Sequence, residues 1–430
     1  MDVGPIRSLS RGHRRRRCCR AEAAEVACAV LGARSGRRPR VAGWAVGRRP
    51  GGYHYYSILG ADYGYQLLWV LTLSVVALAL FQDLGARLGI VTGQGLAGLL
   101  RQRFGARRAG LALVALVVAN FGTTCAEFAG IAAGMELFGV TRYVSVPVAA
   151  AAVGILVLRG SYRRIERLLL ALSAVFLTYI AAGILAHPHW GSAARGLAVP
   201  SMPFNRNAIL IATATIGTTL APWGQAFIQS YVVDKRLGIK DLRYVRWDVI
   251  TGSMLTGIIG LFIVVACAAT LHLEGVKIKV AEDAAKALEP LAGGLASSLF
   301  GVGLVGAALL AAFILPLSTA YSVSEFLGTE GALDRPVRQA PVFYSTYLAV
   351  LAAAAFVVLI PHAPLVPILV LSQVLNAVLL LPLLGFMYVI SGDRKIMGEF
   401  VARGPVRAMY IVCIVFIGTC VGALAVLAIR

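Results

Sequence analysis

Gly217-Thr218-Thr219-Leu220-Ala221-Pro222-Trp223-Gly224-Gln225 lies in the middle of an apolar run that extends over 207–233. A helix crossing lipid keeps every backbone hydrogen bond, because no water is present to replace a lost one. Pro222 removes a donor and its ring clashes with the preceding turn, and the small residues around it add nothing to a helix. A plain proline kink is one reading. The preferred one is a deliberate break that aims freed carbonyls and half-helix ends at a bound solute.

The surrounding composition supports a membrane setting. The chain has 430 residues, 59% hydrophobic and 14% charged, a balance outside that of soluble domains. Apolar runs fall at 63–84, 109–138, 144–158, 168–186, 207–233, 249–271, 295–327, 342–360, 366–390 and 408–429, with a shorter piece at 53–60. This predicts an all-α integral membrane protein with ten full spans plus a truncated first span. Several runs exceed the ~20 residues that a bilayer requires, so tilt or interruption is expected.

Alternate loops differ in basic content. One set carries twenty Lys and Arg, among them Arg87, Arg101, Arg103, Arg107, Arg108, Arg246 and Arg394, against six in the opposite set. That bias assigns the first set to the cytoplasm of a cell membrane, expected to be a bacterial plasma membrane. The net charge of +20 then reports topology and not nucleic-acid binding. Seven cysteines show no CxxC or Cys/His spacing, so neither a disulfide framework nor a zinc site is indicated. No Walker motif, GxSxG or HExxH is present, which leaves no support for ATP drive or hydrolysis; an enzyme is not expected.

Residues 1–50 differ from the rest: thirteen Arg, no Lys and three acids account for half the net charge. A disordered basic tail is the ordinary explanation. The alternative is that this segment is read out of frame and that the transmembrane domain occupies residues 51–430.

From Gly51 onward the chain resembles the Nramp family of divalent metal transporters. Four stretches carry the resemblance. Tyr56-Ser57-Ile58-Leu59-Gly60-Ala61-Asp62-Tyr63-Gly64-Tyr65 looks like the outer half of the family's first helix, and Ala126-Glu127-Phe128-Ala129-Gly130 resembles the third-helix motif. Ala221-Pro222-Trp223 stands where the family has Met-Pro-His, and Leu371-Ser372-Gln373-Val374-Leu375-Asn376 resembles the tenth-helix Ser-Gln motif. The resemblance implies the LeuT-type inverted-repeat fold, broken first and sixth helices, and a midplane ion site. It implies no cofactor, since the divalent metal ion is the substrate. The expected partners are that cation and the lipid bilayer, with no nucleic acid; the sequence leaves the oligomeric state open, and a monomer is plausible.

The departures are informative. The family breaks its first helix at Asp-Pro-Gly-Asn; aligning Pro50 and Gly51 puts Arg49 at the Asp position and Gly52 at the Asn position. Arginine repels a cation, so the chain read literally lacks its main ion ligand and is expected to be inactive. A one-nucleotide shift of a GC-rich reading of Gly47-Arg48-Arg49-Pro50-Gly51 restores Gly-Asp-Asp-Pro-Gly. At the sixth helix Ala221 replaces a thioether, a soft ligand; oxygen-preferring magnesium gains by comparison. This pattern is similar to the Nramp-related magnesium transporter branch, although manganese or iron cargo remains compatible with a neutral Ala221. Thr124, Val117, Trp223 and Gln229 fall where the family carries further acids and histidines, which implies weak proton coupling.

The candidate metal site is therefore Thr218, Ala221, Gln225, Gln373, Asn376 and Gly52. Gln373 and Asn376 share one helical face, where ion ligation competes with interhelical hydrogen bonding. The candidate transport pathway is Glu127, Pro222, Trp223, Gly224 and Asp62. Glu127 is an intramembrane acid, with a structural hydrogen bond as the alternative; Asp62 is placed at the outer mouth. Rival functions are an amino-acid or polyamine permease of the same fold and an inactive gene product.

Overall fold

Proline at a helix start leaves no donor wasted, and glycine at a helix end adopts the left-handed turn that other residues resist. Both rules mark element boundaries here. The computed structural model describes residues 50–159, 178–203, 205–278, 283–284, 293–329, 331, 336–361 and 365–429, all within one compact unit. Helix α1 (Pro50–Tyr63) opens on Pro50 and stops at Gly64, whose φ is 56°. Helix α2 (Leu68–Thr92) ends on Gly93, φ 65°, whose N–H bonds the Gly89 carbonyl. Helix α3 (Leu96–Glu136) contains Gly105 at φ 82° and ψ 163°, which splits it into a short piece at 96–104 and a long spanning piece.

The chain continues through α4 (Arg142–Leu158), α5 (Thr178–Leu185) and α6 (Trp190–Ala198). Then come α7 (Arg206–Thr219), α8 (Pro222–Asp234), α9 (Leu242–Ala269), α10 (Ala296–Leu327) and α11 (Pro341–Leu359). Helices α12 (Leu365–Ser391), α13 (Arg394–Met397) and α14 (Gly404–Ile429) complete it, and among the described residues there is no strand. By length and apolar composition α2, α3, α9, α10, α11, α12 and α14 are each able to cross a membrane. α4 is apolar but shorter, at 17 residues, and the run at 168–186 is described only from Thr178. The 32 residues of α10 give a rod of ~48 Å against a hydrocarbon core of ~30 Å, which requires tilt or protrusion.

Two boundaries differ from the apolar runs. α2 continues past residue 84 because its polar residues find partners: Arg87 Nη2 lies 3.2 Å from Asp83 Oδ2 and donates to Tyr410 Oη at 2.8 Å. α3 begins well before residue 109, because Leu96, Ala97, Leu99 and Leu100 bury one side of a basic segment. The short helix α6 lies between the apolar runs at 168–186 and 207–233.

Packing converges on α7 and α8. α10 runs along α3, α12 packs on α3 and α7, α9 on α1 and α2, and α8 wedges between α2 and α10. Gly217 permits the closest approach: a Cβ there would overlap the carbonyl oxygen of Gln373. This brings the break and α12 backbone to backbone.

Candidate functional site at a broken helix

The helix stops at Pro222, whereas Pro316 and Pro382 stand inside continuous helices. Leu220 N–H makes the last bond of α7, 2.8 Å to the Ile216 carbonyl; Leu220 (φ −108°, ψ 23°) and Ala221 (φ −45°, ψ 145°) then leave helical geometry. Pro222 starts α8, and Gly224 N–H donates to the Ala221 carbonyl at 3.1 Å. The break is wholly internal: Leu220 is 0% exposed, Ala221 1% and Trp223 2%. The carbonyl end of α7, negative by its summed peptide dipoles, meets the N–H end of α8 at this point. Irregular backbone at membrane depth is tolerated only inside protein or beside a cavity.

Two helices close on the break. From α1, the Tyr56 hydroxyl lies 3.0 Å from Thr219 Oγ1, which itself donates to the Thr215 carbonyl at 2.7 Å. From α12, Gln373 is 1% exposed, and its Nε2 donates to Ser372 Oγ at 3.3 Å. Asn376 Nδ2 donates to Gln373 Oε1 at 3.0 Å and to Thr123 Oγ1 of α3 at 2.9 Å. Asn376 thus spends both amide hydrogens fixing Gln373 and tying α12 to α3. Its position orients the amide oxygen of Gln373, which keeps further acceptor capacity.

Helix α3 presents Asn120, Thr123 and Glu127 at successive turns of one face, all buried. Asn120 Nδ2 donates to Thr319 Oγ1 of α10 at 2.9 Å. Glu127 is 3% exposed and within electrostatic reach of Tyr55 on α1. Sequence reasoning found Glu127 and missed Asn120, Thr123, Thr319 and the two tyrosines. The spacing of Asn120, Thr123 and Glu127 within an apolar run was the available signal.

Beyond the break, α8 carries Gln225, 0% exposed, and among the described residues neither of its amide atoms has a hydrogen-bond partner. One turn on, Gln229 Nε2 donates to the Gln94 carbonyl at 3.0 Å while its Oε1 is likewise unsatisfied. The other side of α8 is aromatic. The Trp223 carbonyl accepts from Ser318 Oγ of α10 at 3.0 Å, and the Phe227 ring stands 6.5 Å from Tyr321, itself 4.9 Å from Phe343. Thr218 and Gly224 are buried beside the break.

The remaining sequence candidates lie at the two ends of α1. Gly52 is in its first turn, and Asp62 is exposed in its last, within electrostatic reach of Lys277 and His272. His272 Nδ1 is 2.8 Å from the Ala61 carbonyl oxygen, so this histidine clasps the outer end of α1. Arg49 lies outside the described residues. Among the described residues no three His, Cys, Asp or Glu side chains come together as a metal cluster. What the break assembles is neutral: backbone carbonyls, amide and hydroxyl oxygens, with one carboxylate nearby. Hard cations with a partial hydration shell suit such a donor set.

A protein-family profile described as natural resistance-associated macrophage protein-like, Nramp, matches residues 45–427. The divalent metal cation transporter MntH of Aeromonas hydrophila subsp. hydrophila is 30% identical over 368 residues, which cover 82% of this chain and 85% of that protein. Among solved structures, the Eremococcus coleocola manganese transporter in complex with an aromatic bis-isothiourea substituted compound superposes with a TM-score of 0.70. It is 20% identical, over 89% of this chain and 85% of its own. MhsT in complex with L-phenylalanine superposes with a TM-score of 0.59 at 15% identity, over 92% and 99% of the two chains. The shared feature is the LeuT-type helical fold.

Proposed function

The chain belongs to the Nramp family of divalent metal transporters, and from that premise we propose that magnesium is its favoured cargo, with manganese second. The ion is the substrate; no resident cofactor takes part. The observation that carries the proposal is the buried break at Leu220 and Ala221, one turn beyond the close backbone contact of Gly217 with Gln373, with a methyl group where a thioether would stand. In this reading the carbonyls of Thr218 and Ala221, the amide oxygens of Gln225 and Gln373, and the first turn of α1 around Gly52 line the site. Asn376 orients Gln373. Glu127 and Asp62 draw the cation along the path, and Pro222, Trp223 and Gly224 shape its inner wall. Without a sulfur ligand, nothing compensates a soft ion for lost water, while a hard ion retains part of its shell.

The drive is the ion gradient and the membrane potential. Thr124, Val117, Trp223 and Gln229 leave Glu127 as the main titratable group along this route, and a relay needs a chain of them. Membership of the family also sharpens the anomaly at Arg49. The segment up to about residue 50 is read out of frame, and the natural chain has an aspartate at position 49; nucleotide sequencing across Gly51 that showed an intact frame would end this idea. The cell membrane is the proposed location, with the basic loops in the cytoplasm.

Uptake into liposomes tests the cargo and the drive together. Magnesium is expected to compete out manganese flux, without acidifying the liposome interior. Flux of an amino acid or amine, with no divalent cation flux, would transfer the site to an organic solute.

A further inference from the structure

One face of α10 carries Ser318, Tyr321 and Glu325 at the spacing of successive helical turns, and every one of them meets α8. Ser318 Oγ donates to the Trp223 carbonyl at 3.0 Å, beside the break. A turn further, the Tyr321 ring packs 6.5 Å from Phe227 and its hydroxyl donates to Asp234 Oδ2 at 3.3 Å. At the end that the charge bias assigns to the cytoplasm, the Glu325 carboxylate lies within hydrogen-bond reach of the Ser230 hydroxyl.

Glu325 makes a second connection. Its Oε2 accepts the N–H of Ala97 at 3.3 Å, in the first turn of α3. That helix start has no side-chain cap of its own, because its N-cap residue is Gly95. A Cβ at Gly95 would collide with the Glu325 carboxylate. The glycine leaves a notch, and a carboxylate from a distant helix fills it, where free N–H groups and the helix dipole favour negative charge. The neighbouring residues bind the same segment. Arg101 donates to the Phe326 carbonyl and lies over the Phe326 ring at 5.5 Å, Gln229 Nε2 donates to the Gln94 carbonyl at 3.0 Å, and Arg103 pairs with Asp393 at 3.1 Å.

We propose that the α8–α10 seam is the inner gate of the carrier and that Glu325 is its latch, a positioning residue holding α8, α10 and the start of α3 together while the site is closed. The argument is mechanical. α8 is the inner half of the broken helix, so cargo leaving the break toward the cytoplasm requires α8 to separate from a neighbour. The α10 side is sealed by three discrete polar contacts and an aromatic stack, which part as a unit. The latch joins three helices at once, whereas each bond above it joins α10 to α8 alone. Glu325 does not touch the cargo; it sets how often the seam opens. The inference rests on the transporter reading only for the direction of opening, and its test needs no cargo.

A single cysteine replacing Ser318, in a background without other cysteines, reports opening by its reaction with a membrane-impermeant thiol reagent. Inside-out and right-side-out vesicles expose the two faces separately. Glu325→Gln and Glu325→Ala are each expected to speed labelling from the inner face by about five- to thirtyfold, with no change from the outer face. Glu325→Asp should label close to the parent rate. Gly95→Ala, which crowds the carboxyl group out of its notch while leaving Glu325 itself in place, should reproduce the increase; it also serves if the Glu325 variants fail to fold. Unchanged labelling in Glu325→Gln and Gly95→Ala, or equal increases from both faces, would overturn the latch. A labelling increase in a chain that moves no divalent cation would leave the gate standing and remove the cargo.

Discussion

Ala221 and Asn376 show how little side chain the site needs. Ala221 contributes a carbonyl and a methyl group at a position where the geometry is already set by Pro222. Substituting Ala221→Met restores a thioether at that point, and a soft ligand raises the preference for manganese over magnesium. The expected change in the ratio of half-saturation concentrations is about tenfold, equivalent to ~1.4 kcal/mol, read by competition uptake. Asn376 acts through others: it donates to Gln373 Oε1 and Thr123 Oγ1 in a fully buried setting. Asn376→Leu leaves both acceptors without these donors, a penalty of about 1–3 kcal/mol per group. Apparent affinity should weaken about tenfold, and the melting temperature should fall. A variant with weakened affinity and unchanged melting would make Asn376 a ligand and not a brace.

The helices divide into those the sequence made plain and those it concealed. The break in the run at 207–233 was legible because a proline in lipid has few tolerable explanations, and α7 and α8 meet at that residue. The segment at 96–104 was concealed by its own chemistry: Arg101, Gln102 and Arg103 interrupt its apolar character just before the long run begins. Glu325 escaped notice for the opposite reason, as a lone acid near the end of a long apolar run whose partner, Ala97, is distant in sequence. Side-chain alliances such as Asn120 with Thr319 depend on which faces pack, and periodicity alone does not choose the neighbour. The α7–α12 contact yields a test at this scale. Gly217→Ala drives a Cβ into the Gln373 carbonyl, and overpacking of this kind costs about 1–3 kcal/mol. A lowered melting temperature in detergent, together with reduced uptake, is the expected outcome. Full stability with full uptake would mean the two backbones do not need their close approach.

At the scale of the whole molecule, the proposed path of a divalent ion runs from the broken helix and a fixed amide to the inner seam. The helical membrane class was accessible from composition, because a chain with 59% hydrophobic residues has few ways to satisfy its backbone in lipid, while the inverted-repeat fold rested on the resemblance of four motifs. The cargo was less accessible, since hydration and helix spacing govern ion choice as strongly as ligand identity. The most direct measurement is divalent cation flux into liposomes carrying the chain as written, its Arg49→Asp form, and that form with Gln373→Ala. The proposed path requires saturable magnesium and manganese flux in the Arg49→Asp form, a rate at least about tenfold lower in the chain as written, and near-complete loss with Gln373→Ala. An Arg49→Asp form that moves no divalent cation, or one whose flux is indifferent to Gln373→Ala, would contradict it.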